Sequence, residues 1–184
     1  LFDAAIKTCK KLGAILVPVT MPDLPAAAIY ALLNAEAGAM FDELVRSGGI
    51  NETADKTVNG RANQLRAARF IPAVDYIRAQ RVRTLLVQQV NALFNESTSD
   101  RSTPDRLKIS AFLTPAPSET VTTCNLTGHP AIKVPAGFVD GLQIGLMVTV
   151  PLYKEERILQ LAAAFAAARE SKGSHPRVSV GVQC

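Results

Sequence analysis

The sequence predicts an α/β fold in which a mixed β-sheet is flanked by helices. Three observations carry this prediction. Apolar residues recur at helical spacing in several long segments. Short apolar runs bounded by turn residues lie between those segments. The two patterns alternate along a chain of 184 residues with 48% hydrophobic content, which suits one ordinary globular domain with helices covering a sheet.

The N-terminal part of the chain predicts a helix, a strand and a second, longer helix. Apolar positions at helical spacing indicate a helix from Phe2 to Leu12 that ends at Gly13. The run Ala14–Val19 has the length and composition of a short buried strand. An apolar stripe then predicts a helix from about Pro25 to Arg46, stopped by the glycines of Ser47–Gly49.

The middle of the chain predicts loops around another long helix. Residues 50–64 are polar and aperiodic, which is typical of a loop. A helix is predicted from about Pro72 to Phe94, and the Ser-, Thr- and Asp-rich stretch Asn95–Lys108 predicts a surface loop. The following run "ISAFLTP" predicts a strand that ends at Pro115.

The last third of the chain predicts a hairpin and a final helix. The strand candidates "AIKVPAGF" and "LQIGLMVTV" are separated by "VDG", a strong hairpin signal. An Ala-rich amphipathic helix is predicted from about Lys154 to Ser171. Before the hairpin, Thr122–Pro130 predicts an ordered loop at the rim of the sheet. Four short strands offer few pairing partners for a stable sheet, so a further piece of the domain is expected.

The net charge, the lengths of the apolar runs and the cysteine content indicate which classes of partner and which compartment to expect. The net charge of +4 is mild, and the arginines between residues 66 and 83 lack interleaved aromatic residues, so we expect a solvated helix face with some ion pairs and no nucleic-acid partner. No apolar run approaches the roughly 20 residues that span a bilayer, so no membrane partner is expected. Three cysteines without paired spacing indicate a reducing compartment, hence a cytoplasmic protein. The chain opens without Met, so its true N-terminus is expected further upstream.

The common catalytic and cofactor motifs are missing from the sequence. It contains no nucleotide-binding glycine pattern, no zinc-protease motif and no serine-hydrolase elbow, so no cofactor or metal is expected. His129 in "TGHP" is interpreted as structural because no second ligand lies at a recognisable spacing. Glu36, between two alanines, is expected to be buried beside an arginine.

Several segments in order resemble the C-terminal half of the amidase signature family. "LFDAAIKTCKKLGAILVPVTMPDLP" resembles the passage after that family's signature region, and "AEAGAMFDEL" and "YIRAQRVRTLL" resemble two of its helices. "FLTPAP" resembles its strand ending in Thr-Pro. "NLTGHPAIKVPAGFVDGLQIGLMV" is the most specific piece, although Gln143 stands where the family usually has proline. The resemblance covers essentially the whole chain.

The resemblance implies an enzyme that cleaves carboxylic amide bonds. In this family a serine nucleophile is relayed through a second serine to a lysine, which must be desolvated to accept a proton. Those residues lie upstream in the family, so residues 1–184 are expected to be a single partial domain without catalytic residues of its own. Its expected partners are a small-molecule amide and the N-terminal half of the domain, with a homodimer left open.

The same resemblance places candidate site residues on the Thr122–Pro130 segment. Thr122, Thr123, Cys124 and Asn125 are the candidates for contacts with substrate, and Arg69 is a weaker one. The alternative is that this segment only braces the sheet. Cys124 has no histidine partner in sequence and is interpreted as a small buried hydrophobe rather than a nucleophile.

Two other functions stay open at this point. Within the same family, the chain is also compatible with an amidotransferase subunit that releases ammonia from glutamine in a larger assembly. From a different class, it is compatible with a non-catalytic binding or assembly module. A partial domain should expose apolar sheet surface and aggregate when isolated, whereas a binding module should be monodisperse.

Overall fold

The structure is a computed structural model that describes residues 1–23, 26, 28–95, 108–116 and 118–170. That part of the chain contains seven α-helices and three β-strands, with five helices before the first strand, and this combination of helices with a sheet confirms the predicted α/β class. Two 3-10 turns, Ala28–Tyr30 and Gly49–Glu52, flank the second and third helices. The elements are α1 Phe2–Lys11, α2 Ala31–Met40, α3 Asp42–Arg46, α4 Arg61–Ala68, α5 Ala73–Asn95, β1 Phe112–Ala116, α6 Thr120–Thr127, β2 Ala131–Val139, β3 Leu142–Thr149 and α7 Glu155–Glu170.

The residues pack into two compact units. The sheet unit consists of the described residues of Leu1–Val19, Ser97–Ser118 and His129–Cys184, and it holds α1, α7 and the three strands. The helical unit consists of the described residues of Thr20–Glu96 and Glu119–Gly128, and it holds α2 to α6. That residues 1–184 form a single partial domain stays a prediction.

The sheet is small and antiparallel, with strand order β1-β3-β2. The predicted hairpin is confirmed, since β2 and β3 pair directly and Ile132 faces Val148. Asp140 and Gly141 form its turn with φ of 50° and 78°. Positive φ at both turn residues matches the twist of a two-residue hairpin, which is why an Asp-Gly pair serves there.

One face of this sheet forms the core of the sheet unit. Residues that alternate along β2 and β3 point to the same side, where the apolar faces of α1 and α7 cover them. Full burial of each Val, Leu or Phe side chain contributes about 1.5–3 kcal/mol. The buried members of this core are Ala5, Val134, Leu146, Val148, Val150, Ile158, Ala162 and Phe165.

The predicted strand at Ala14–Val19 is wrong for the structure described. None of its residues joins a strand ladder, and the side chain of Ile15 is 67% exposed. A strand is stable only when its backbone groups pair with a neighbour, and no described strand lies beside this segment. Pro18 also has no N–H to donate.

The long helix predicted from Pro25 to Arg46 is interrupted. A 3-10 turn precedes α2, and the backbone of Phe41 leaves the helical region with φ of −100° and ψ of 21° before α3 begins. The predicted apolar stripe is only partly buried, because Leu32 is 1% exposed whereas Met40 is 80% exposed. Pro25 lies outside the described residues. Gly48, at φ of 82°, ends α3 as the glycine signal predicts.

A helix occurs where the sequence predicts a loop. α4 begins at Arg61, inside the polar stretch 50–64, and buries Ala62, Leu65 and Ala68. Asp55 orders the turn that precedes this helix, because its carboxylate accepts hydrogen bonds from the Thr57 N–H and hydroxyl. These bonds, and a weaker one from the Arg61 backbone, lower the pKa of Asp55. A helix of only eight residues leaves little periodic signal in sequence.

The remaining helices follow the predictions closely. α5 spans Ala73–Asn95 against a prediction of Pro72 to Phe94, and α7 spans Glu155–Glu170 against Lys154 to Ser171. β1 contains Pro115 and continues one residue beyond the predicted end. Residues 96–107 of the predicted surface loop Asn95–Lys108 lie outside the described residues.

The close approach of α2 and α4 generates a stability prediction. A Cβ added at Gly38 would lie 2.7 Å from the Ala68 Cβ, an atom with no freedom to move away. Gly38→Ala gains about 1 kcal/mol of helix propensity but overpacks this crossing by about 1–3 kcal/mol, so we expect a net loss of stability. Urea unfolding would measure it.

A second substitution identifies the cause of that loss. Gly38→Ala combined with Ala68→Gly removes the colliding atom, so the double variant should be more stable than Gly38→Ala alone. A Gly38→Ala protein that is as stable as the parent would show that the helices separate at no cost.

Candidate functional site

The predicted loop Thr122–Pro130 is wrong over most of its length, because Thr120–Thr127 forms helix α6. Threonine has low helix propensity, so this Thr-rich segment resembles a loop in sequence. The structure stabilises the helix in two ways. Thr120, Thr123, Cys124, Leu126 and Thr127 are buried along it. At its C-terminus Gly128 adopts φ of 74° and its N–H donates to the Cys124 carbonyl at 2.8 Å.

The four candidate residues of α6 divide between two faces of the helix. Thr123 and Cys124 are buried at 7% and 6% exposure, and the Thr123 hydroxyl donates to the Glu119 carbonyl. Thr122 is half-buried and Asn125 is exposed. The two lie three residues apart, so they are neighbours on the helix surface. Of the four, Thr122 and Asn125 are therefore the residues accessible to a ligand.

The side chain of Arg69 forms its described ion pair within the helical unit and not with the candidate residues of α6. It follows α4, and its guanidinium forms an ion pair with the Asp42 carboxylate of α3. Asp42 also pairs with Arg46 at 3.4 Å. The charge of Arg69 is thus already balanced by a carboxylate within the helical unit.

Arg83 contributes to this region but was not among the candidate residues predicted from the sequence. From α5, its Nη1 donates to Glu36 Oε1 of α2 at 2.9 Å, and its Nε donates to the Leu126 carbonyl in the last turn of α6. The C-terminal carbonyls of a helix carry partial negative charge, so a cation is favourable at this place. One guanidinium thus links three helices and holds the helix that carries Thr122 and Asn125.

The pairing of Glu36 with an arginine confirms that expectation, although the carboxylate is not buried. Its side chain is 38% exposed, and that of Arg83 is 28% exposed. The expected ion pairs among the arginines of residues 66–83 also occur, since Arg78 lies 4.0 Å from Asp75 and Arg69 pairs with Asp42. Composition indicated the type of interaction, but no sequence spacing identifies partners 47 residues apart.

His129 follows directly on the glycine that ends α6. It is only 3% exposed, and this burial lowers the pKa of its imidazole. The next residue, Pro130, accepts a hydrogen bond from the Val150 N–H at 3.1 Å and so ties the start of β2 to the end of β3. A buried, neutral imidazole at this junction agrees with the structural interpretation from sequence.

The accessible face of α6 presents hydrogen-bonding groups. A hydroxyl at Thr122 and a carboxamide at Asn125 both donate and accept hydrogen bonds, as an amide group does. Within the described ranges, no group of three or more His, Cys, Asp or Glu side chains is arranged to hold a metal ion. Among the helices described here, none is long and apolar enough to cross a bilayer. The cytoplasmic location stays a prediction.

The two bonds of Arg83 generate a prediction about stability. Arg83→Met leaves the Glu36 carboxylate and the Leu126 carbonyl without this donor, and we expect it to lower the free energy of unfolding by about 2 kcal/mol. Arg83→Lys keeps the charge but not the forked geometry, and should cost about 1 kcal/mol. Denaturant unfolding measures both values.

Arg78 supplies the matched control for this measurement. It is on the same helix, its side chain is 75% exposed, and its Asp75 partner is 4.0 Å away. Arg78→Met should change stability by less than about 0.5 kcal/mol. Equal losses at Arg78 and Arg83 would mean that Arg83 does not tie the helices together.

The buried imidazole generates a prediction about pH. The pKa of His129 is lower in the folded state than its ordinary 6.5, so between these two values the unfolded chain binds more protons. Stability is therefore present above about pH 6.5 and is lost as the pH falls toward the lower, folded pKa. His129→Gln should make the melting temperature depend less on pH across this window.

The only other histidine, His175, provides the comparison, and it lies outside the described residues. His175→Gln should leave the pH dependence of the melting temperature as it is in the parent. The same acid-induced decline in His129→Gln and in the parent would assign the effect to other groups.

Curated proteins with similar sequences are subunits A of glutamyl-tRNA(Gln) amidotransferase. The subunit from Pseudomonas fluorescens (strain Pf0-1) is 29% identical over 197 residues, which cover 88% of this chain and 40% of that protein. The subunit from Streptococcus equi subsp. zooepidemicus (strain MGCS10565) is 29% identical over 210 residues, covering 97% of this chain and 42% of that protein. The chain thus spans about two fifths of the curated relatives it matches. No protein-family model matches it.

Solved structures show the same fold. A bacterial aryl acylamidase of the amidase signature enzymes has a TM-score of 0.62 at 18% identity, covering 90% of this chain and 39% of that one. Native peptide amidase from Stenotrophomonas maltophilia has a TM-score of 0.67 at 19% identity, covering 90% and 38%. Identities this low establish the fold alone. In sequence and in fold, the chain resembles the C-terminal part of the amidase signature family.

Proposed function

We propose that this chain is the C-terminal portion of an amidase-signature hydrolase that cleaves carboxylic amide C–N bonds. The observation that carries the proposal is the extent of the likeness, which runs along 88% or more of the chain in sequence and 90% or more in fold. The chemistry is that of a Ser-Ser-Lys mechanism, whose catalytic residues we assign to protein outside these 184 residues.

The described residues contribute binding rather than bond cleavage in this proposal. The exposed face of α6, with Thr122 and Asn125, forms part of the wall against which the amide lies. The carboxamide of Asn125 accepts from an amide N–H and donates to an amide carbonyl, so it is complementary to the substrate. Thr123 and Cys124, which are buried, support this wall from behind.

The position of α6 matters because amide cleavage depends on alignment. A serine nucleophile must approach the carbonyl carbon while donors hold the developing oxyanion, and a displacement of about 1 Å can cost a hundredfold in rate. Arg83 fixes α6 to two other helices of the same unit. We therefore assign Arg83 the role of a positioning residue.

The test uses the protein expressed from its complete coding sequence. Ammonia or amine release from a panel of alkyl, aryl and peptide amides should identify at least one substrate. The isolated 184-residue chain should release none. A full-length protein that turns over no amide in the panel and no glutamine would contradict the proposal.

A substitution at α6 tests the role of the chain itself. Asn125→Ala removes a hydrogen bond to the substrate and should lower kcat/KM about tenfold, chiefly by raising KM. Gln160→Ala, on the exposed side of α7, is the matched control and should leave kcat/KM unchanged. Unchanged kinetics in both variants would remove α6 from the pocket.

The curated relatives favour a second candidate from the same family, the glutamine-dependent amidotransferase subunit. Such a protein releases ammonia from glutamine and passes it to a partner subunit. Hydrolysis of glutamine in preference to other amides, together with co-purifying subunits, would favour this candidate. A monodisperse protein active on simple amides would favour the hydrolase.

A further inference from the structure

A polar cavity of about 260 Å³ opens in the helical unit between the second 3-10 turn and α4. Its wall carries two cationic side chains, Lys56 and Arg66, beside the amides of Asn51 and Asn63. Neither cation forms an ion pair in the part of the chain that the structure describes. The cavity wall thus carries two cations against one carboxylate, that of Asp55, and its net charge is positive.

The guanidinium of Arg66 is held in a fixed orientation. Its Nη1 donates to Asn63 Oδ1 at 2.7 Å and its Nη2 donates to Asn51 Oδ1 at 2.6 Å. Both acceptors are neutral amide oxygens, so they orient the group without cancelling its charge. An oriented planar guanidinium is preorganised to bind a carboxylate or a phosphate.

The single acidic residue of the cavity wall has its carboxylate engaged. Asp55 Oδ1 accepts from both the N–H and the hydroxyl of Thr57, at 2.9 Å and 2.6 Å. Its carboxylate also lies against Gly60, where a Cβ would come within 2.7 Å of it. Asp55 thus serves the start of α4 and does not pair with Arg66.

An apolar cavity of about 510 Å³, widely open to solvent, adjoins the polar one and shares Asn63 and Arg66 with it. Its wall includes Val58, Ala67 and Phe70. The side chains of Val58 and Phe70 are each 85% exposed. Such exposure leaves apolar area that a ligand can remove from water, at roughly 25 cal/mol per Å².

We propose that these two adjoining cavities form one binding site for a carboxylate with an apolar tail. The carboxylate lies in the polar cavity and accepts hydrogen bonds from Arg66, with Lys56 adding charge. The tail lies along Val58, Ala67 and Phe70. The charge of the polar cavity selects the head group, and the apolar cavity distinguishes this ligand from an inorganic anion. Thr122 and Asn125 take no part in this site.

The test measures binding to the full-length protein by calorimetry at constant ionic strength, and needs no catalytic turnover. Octanoate is the probe, with 1-octanol as its uncharged counterpart and acetate and inorganic phosphate as anions without a tail. Octanoate should bind at least about tenfold more tightly than any of the other three. Equal binding of octanoate and 1-octanol, or tighter binding of phosphate, overturns the proposal.

Variants locate the site. Arg66→Gln and Lys56→Gln should each weaken octanoate binding, Arg66→Gln by about tenfold, and Phe70→Ser should weaken octanoate but not acetate. Arg78→Gln is the control and should bind octanoate as the parent does. Arg66 also ties Asn51 to Asn63, so a poorly folded Arg66→Gln protein leaves the test to Lys56→Gln and Phe70→Ser. Unchanged octanoate binding in those two variants overturns the proposal.

Discussion

The pairing of β3 with a strand on each side is the constraint on which the sheet unit depends. β3 is central in the order β1-β3-β2, so its backbone groups are satisfied on both edges. This pairing sets which side chains face α1 and α7, since a shift of one residue would turn Leu146 and Val148 away from the core. The turn at Asp140 and Gly141 sets the pairing of the adjoining residues of β2 and β3, and an irregularity between Pro135 and Gly137 then shifts the register by one residue before the core pair Val134 and Leu146. The turn and the bulge together determine which residues of the hairpin form the buried core.

In the helical unit, the guanidinium of Arg83 has a comparable structural role. α6 has eight residues and is rich in threonine, so its own hydrogen bonds leave it marginal as an isolated helix. Burial of one face and the donation from Arg83 to the Leu126 carbonyl compensate for this weakness. Glu36 balances the charge of that arginine. The helix that presents Thr122 and Asn125 therefore depends on residues of α2 and α5.

The two proposals place binding chemistry at two separate parts of the helical unit. Thr122 and Asn125 offer neutral hydrogen-bonding groups, which suit an amide. The cavities around Arg66 offer a cation and an apolar surface, which suit a carboxylate with a hydrocarbon tail. The difference follows from what surrounds each arginine, because Arg69 and Arg83 are paired with carboxylates whereas Arg66 is held by neutral amides. Arginine content alone does not distinguish these environments.

By itself, the sequence determined the α/β class, helices α1, α5 and α7, and the β2–β3 hairpin, because each depends on local periodicity or on a turn residue with positive φ. The segment "NLTGHPAIKVPAGFVDGLQIGLMV" also carried the resemblance to the amidase signature family. Only the tertiary structure decided that Ala14–Val19 is not a strand, that Phe41 interrupts a helix and that Thr120–Thr127 is helical. It also separated Thr122 and Asn125 from the buried Thr123 and Cys124. The physical reason is that pairing, burial and the bonds of Arg83 join residues far apart in sequence, where local propensity carries no information.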